Sequence, residues 1–90
     1  MIILQSTTFK KSVKKFHQNQ ISQLKKNIEK IQHNPHLGDL KKGDLAGVRV
    51  HKFRVHHQLM LLAYICKKES IILLDVSSHE NFYKDLKNQM

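Results

Sequence analysis

The sequence predicts an α+β fold: an N-terminal strand and an antiparallel helix hairpin packed on a small, mainly antiparallel sheet, with a short C-terminal helix. Three observations carry that expectation. Between Ser6 and His33, apolar residues recur at helical spacing in two runs separated by "HQN". From Val48 to Val76 there are three apolar, β-rich runs with turn-sized connections. The stretch between these halves, "HLGDLKKGDLAG", is punctuated by Gly38, Gly43 and Gly47 and has neither period. Helices grouped before strands are the pattern of an α+β domain.

Each element has its own local reason. Residues 1–5 are apolar and β-branched enough for a short strand. Ser6 is a natural N-cap, and Phe9, Val13 and Phe16 then share one helical face while Lys10, Lys11, Lys14 and Lys15 take the other. Ile21, Leu24, Ile28 and Ile31 repeat the pattern in a longer helix, which Asn34-Pro35 stops because proline disfavours helical geometry in the residue before it. The short loop makes the two helices an antiparallel hairpin with one apolar side. Leu61, Ala63 and Leu73 are the expected strand counterparts of that side. The strands are "VRVHKFRV" (48–55), "LMLLAYIC" (59–66) and "IILLDV" (71–76), the last two joined by "KKES". The apolar phase flips between Val50 and Phe53, which predicts a bulge or a strand end there. The second and third runs are nearly continuous in apolar residues, as in the middle of a covered sheet. "SSHENFYKDLKNQM" starts a final helical turn at Ser77 or Ser78.

Ninety residues make one domain, 1–90, with one modest core. One cysteine, Cys66, excludes an internal disulfide and a cysteine-rich zinc site, and its apolar surroundings point to an inert buried thiol. The opening "MIILQSTTFKK" is too short in apolar residues for a signal peptide and no run reaches membrane-spanning length, so a cytoplasmic protein without membrane association is expected. Sixteen Lys and Arg against seven Asp and Glu give a net charge of +9, a field that attracts polyanions, acidic protein partners or anionic membranes.

The basic residues concentrate between 41 and 57. Lys41, Lys42, Arg49, His51, Lys52, Arg54, His56 and His57 stand there against one acid, Asp44. Arg49 and His51 alternate with Val50 and are expected on the sheet face away from the helices. Such a face suits single-stranded nucleic acid, whose phosphates need cations and whose bases need stacking partners such as Tyr83, Phe82 or Phe53. A solvated face of a lysine-rich protein explains the same residues. His51, His56, His57, His79 and Asp75 have metal-ligating atoms but no recognisable spacing, so neither a metal nor another cofactor is expected. General acid–base chemistry fits better. Cleavage of RNA by its own 2′-hydroxyl needs a base, an acid and cations around the phosphorane, and histidine serves either proton role near neutral pH. The alternative for His79 is a capping or hydrogen-bonding residue at the last helix.

The loop "GDLKKGDLAG" leading into "VRVHKFRV", the strand "LMLLAY" and the ending "SSHENFYKDL" resemble the RelE/ParE superfamily, toxins of bacterial type II toxin–antitoxin modules. The likeness covers essentially the whole chain; "SHENFYKDL" and "LAG-x-R-V-x-K-F" are its most specific parts. It implies a RelE-like fold and a cognate antitoxin as partner. It implies a ribosome-associated mRNA endoribonuclease that inhibits translation and arrests growth. The alternative is a DNA gyrase poison of the ParE branch; a non-catalytic nucleic-acid-binding module is the third reading. By this likeness Arg49, His51 and Lys52 bind phosphate, His79 is the general acid or base, and Tyr83 is a stacking or second proton-transfer group. His56, His57, Lys41 and Lys42 extend the RNA-binding set. Nucleases of the family often carry an arginine three residues before the tyrosine corresponding to Tyr64, where this chain has Leu61; Arg54 or Lys52 would substitute for it.

Overall fold

The computed structural model describes residues 1–79. In chain order these form β1 (Ile2–Gln5), α1 (Thr7–Val13), α2 (Gln18–His33), β2 (Asp39–Leu40), a 3-10 turn (Gly43–Leu45), β3 (Arg49–Val55), β4 (Gln58–Cys66) and β5 (Ser70–Ser78). The five strands make one sheet in the order β1-β5-β4-β3-β2, antiparallel except for the β1–β5 pair. The expected α+β architecture is therefore present. Ser77 and Ser78, the expected start of a final helical turn, are instead the last residues of β5; Tyr83 and the rest of the expected C-terminal helix lie outside the described residues.

Ser6 caps α1 as its composition dictates: its Oγ accepts from the Phe9 N–H at 3.0 Å. The same hydroxyl donates to the Leu74 carbonyl at 2.7 Å, tying the start of the helix to β5. α1 ends at Val13, before Phe16, which lies in a tight turn with its N–H on the Val13 carbonyl. Phe16 still packs on the core. Within the expected loop, Asp39 and Leu40 pair with Val50 and Arg49 as a short edge strand.

The helices cover one sheet face through Phe9, Leu24 and Ile31, with Val13, Phe16 and Ile28 at the margin. Their strand counterparts are Phe53, Val55, Met60, Leu62, Tyr64, Ile71, Leu73 and Val76. Leu61 and Ala63, expected in this layer, instead belong to a second apolar cluster with Leu45, Val48 and Val50. Strand alternation explains the difference: Leu62 and Tyr64 face the helices, so Leu61 and Ala63 cannot.

The phase flip in β3 has the same origin. Pairing with β4 runs without interruption from Arg49–Tyr64 to Val55–Gln58, so β3 carries no bulge. Val50 joins the second cluster while Phe53 and Val55 join the first, because both faces of the sheet are apolar in part. The register shift lies between β4 and β5, where Ala63–Asp75 is followed by Tyr64–Leu73. Asp75 is 1% exposed there and accepts from Ser12 Oγ of α1 at 2.6 Å and from the Val76 N–H at 2.8 Å.

Candidate active site

β3 carries two sets of basic residues on opposite sheet faces. Arg49, His51, Phe53 and Val55 alternate toward the helices; Lys52 and Arg54 project to the other side and are exposed. The expected placement of Arg49 and His51 on the face away from the helices is corrected accordingly. His51 Nε2 is 2.8 Å from Asn27 Oδ1 of α2, which requires the Nε2–H tautomer, and its ring stacks on Phe53 at a 6.3 Å centroid distance. Burial, with a smaller contribution from the Lys30 ammonium, holds this imidazole below its ordinary pKa. Arg49 donates to the Gly38 carbonyl at 2.9 Å and the His36 carbonyl at 3.3 Å, and its Nη2 is 2.9 Å from His36 Nδ1.

Tyr64 completes this brace. Its hydroxyl donates to the Pro35 carbonyl at 2.8 Å and accepts from the Gly38 N–H at 2.9 Å. Burial pushes its phenol up despite the opposing effects of the Gly38 N–H and Arg49. Only glycine fits at position 38, since a Cβ there would stand 2.9 Å from the Tyr64 ring and 3.1 Å from the Val50 backbone. Arg49 and Tyr64 together fasten the segment after α2 to the sheet.

The other set converges on the far end of β3. A two-residue loop, His56-His57, joins β3 to β4, and His56 takes φ 57°, the left-handed conformation that a tight hairpin needs at its first loop position. The adjacent histidines have different surroundings. His56 Nε2 is 2.6 Å from Asn19 Nδ2 at the start of α2. His57 lines a cleft of about 320 Å³ with Gln58, Leu59, Ser78 and His79. The pairing of Met60 with Ser78 brings the end of β5 beside the first residues of β4, which is why residues 57–59 and 78–79 meet. Arg54 Nη1 reaches the His57 carbonyl at 3.4 Å, so its guanidinium sits at the same hairpin. Lys52 lies directly across from Leu61, the position at which a family arginine is expected, and Leu61 is fully buried.

The structure thus brings His79, His57 and Arg54 to one end of the sheet, with Lys52 two residues from Arg54 on the same face. It separates them from Arg49 and His51 on the helix side of β3, and the His56 side chain at the same hairpin is turned to Asn19 of α2. Lys41 and Lys42 precede β3, Lys41 donating its N–H to the Val48 carbonyl, at the opposite end of a strand about 20 Å long. Gln58 and Ser78 line the cleft without having been singled out as site residues; the three-residue gap between the "VRVHKFRV" and "LMLLAYIC" runs is the signal that a hairpin would place Gln58 there. Among the described residues no three His, Cys, Asp or Glu side chains come together as a metal site requires, and no helix is long and apolar enough to cross a membrane.

The sequence profile of the ParE-like toxin of type II bacterial toxin–antitoxin systems matches residues 3–87. No curated protein sequence matches the chain. Among solved structures, the fold is similar to the isolated E. coli RelE toxin, at 16% identity and a TM-score of 0.69, covering 99% of this chain and 98% of the other. The YoeB/ParE toxin from Agrobacterium tumefaciens gives 15% identity and a TM-score of 0.70 over 88% of this chain and 99% of that one. A chain of the intact E. coli RelBE toxin–antitoxin complex gives 17% and 0.68 over 84% and 93%.

Proposed function

Given that the chain belongs to the ParE-like toxin family of type II bacterial toxin–antitoxin systems, we propose that it acts as a single toxin domain, 1–90, that cleaves mRNA on the ribosome. The observation that carries this reading is the cleft at the β3–β4 hairpin, where His79 stands at the end of a face bearing Lys52 and Arg54. The 2′-hydroxyl attacks the adjacent phosphorus, and His79 transfers one of the two protons involved. Lys52 and Arg54 stabilise the charge that builds on the phosphorane oxygens. The chemistry needs no metal, because imidazole moves the proton and fixed cations meet the charge. Tyr83, outside the described residues, is proposed to stack on a base or to move the other proton.

Leu61 favours a second reading. The residue that replaces the family arginine is fully buried in an apolar cluster, and a chain relieved of cleavage can poison DNA gyrase instead. Induction in bacterial cells separates the two: rapid transcript cleavage supports the nuclease, and intact transcripts with DNA breaks and filamentous cells support gyrase poisoning. In either case the partner that silences the toxin is an acidic antitoxin, to which a +9 surface gives fast association. Ribosomal RNA, approached through its phosphates, is the cytoplasmic docking surface of the nuclease reading.

A further inference from the structure

The cleft contains a second imidazole. We propose that His57 is the partner of His79 in proton transfer, one ring acting as base and the other as acid on the same phosphodiester, which leaves Tyr83 the stacking role; this rests on the nuclease reading above. Three observations carry it. Among the described residues lining the cleft, His57 and His79 are the only titratable side chains, sharing it with Gln58, Leu59 and Ser78. The hairpin gives its two histidines different settings: His56 lies against Asn19 of α2, whereas His57 opens on the cleft. The His57 backbone is also positioned, since the Arg54 guanidinium donates to its carbonyl at 3.4 Å and the two-residue loop leaves little backbone freedom. The charged groups of β3 on this side are Arg54 and Lys52. Two imidazoles with the Arg54 guanidinium at the same hairpin supply a base, an acid and a cation, the groups that self-cleavage of RNA uses.

The step balances as follows. The unprotonated ring takes the 2′-hydroxyl proton as the O2′–P bond forms. The protonated ring gives its proton to O5′ as the P–O5′ bond breaks. The products are a 2′,3′-cyclic phosphate and a 5′-hydroxyl, and the pair ends with its protons exchanged and its total charge unchanged. Solvent then restores the starting forms.

Single-turnover cleavage of mRNA on programmed ribosomes tests the pairing, using the full chain, His57→Ala and His79→Ala, with circular dichroism as the folding control. Each variant is expected to lose about a hundredfold in rate. The wild-type pH profile is expected to have two limbs and each variant one. A substrate whose scissile O5′ is replaced by sulfur needs no proton on its leaving group. It is expected to restore the variant that lacks the acid and leave the other slow. His57→Gln, which keeps the size of the loop side chain, replaces His57→Ala if the latter misfolds. Restoration of one variant only supports the pair and assigns the roles. A folded His57 variant with wild-type rate and both limbs overturns the pair while leaving the nuclease reading intact, as does a sulfur substrate that restores neither variant. A wild-type chain that leaves the mRNA whole overturns the nuclease reading and the pair together.

Discussion

At the scale of single residues, chemistry and architecture divide the histidines and aromatics between them. His79→Ala is expected to lower cleavage by roughly a hundredfold or more while leaving the fold intact, because the side chain is exposed; growth arrest as strong as the parent's would remove His79 from the mechanism. Tyr64→Phe is expected to cost ~1–3 kcal/mol, since the Gly38 N–H and Pro35 carbonyl lose their partner in a buried site. Gly38→Ala is expected to destabilise by about as much through overpacking, ~1–3 kcal/mol, and urea unfolding of both variants checks the brace. His51 yields a pH dependence. Its folded pKa lies below the ordinary 6.5, so the unfolded chain binds the proton more readily. The stability contribution is complete above pH ~6.5 and is lost as pH falls toward the folded value. Thermal melts in that acidic window should show a decline that His51→Gln flattens. His79 and its aromatic neighbour were legible in the sequence as a motif. The engagement of Arg49 by His36 and Gly38 was not, because those partners are set by where α2 ends.

At the scale of elements, the sheet divides its chemistry by face. Sequence periodicity located every main strand and both helices, since proline, glycine and apolar spacing act within a few residues of where they stand. It could not say which phase of β3 met the helices, because Val50 on one face and Phe53 on the other are equally apolar. Only the partners across the chain, Asn27 for His51 and Leu45 for the second cluster, decide it. The helix layer makes a graded prediction. Ile31 is fully buried and Ile28 only partly so. Ile31→Ala is expected to cost ~2–5 kcal/mol and Ile28→Ala less; equal midpoint shifts in denaturant would contradict this packing. The hairpin cleft was half legible: His79 was singled out from the sequence, whereas His57 and Gln58 become its neighbours only through the Met60–Ser78 register.

For the whole molecule, the excess of sixteen basic over seven acidic residues is expected to make the proposed binding to ribosome or RNA salt-sensitive. Removing Lys52 and Arg54 together is expected to weaken that binding and lower the slope of log affinity against log salt by about two. Arg49→Ala is expected to act chiefly on stability, through the loop it braces. Equilibrium binding across a salt series, alongside melting temperatures, distinguishes the two. The parallel pairing of β1 with β5 bears on something further, the timing of the toxin's own synthesis. Ser6 is bonded to Leu74, 68 residues later. At roughly 5–20 residues per second, β1 leaves the peptidyl-transferase centre several seconds before the strand that must receive it is made. Until then the cleft also lacks Ser78 and His79. The sheet of this toxin can therefore close only after β5 has been made, late in translation.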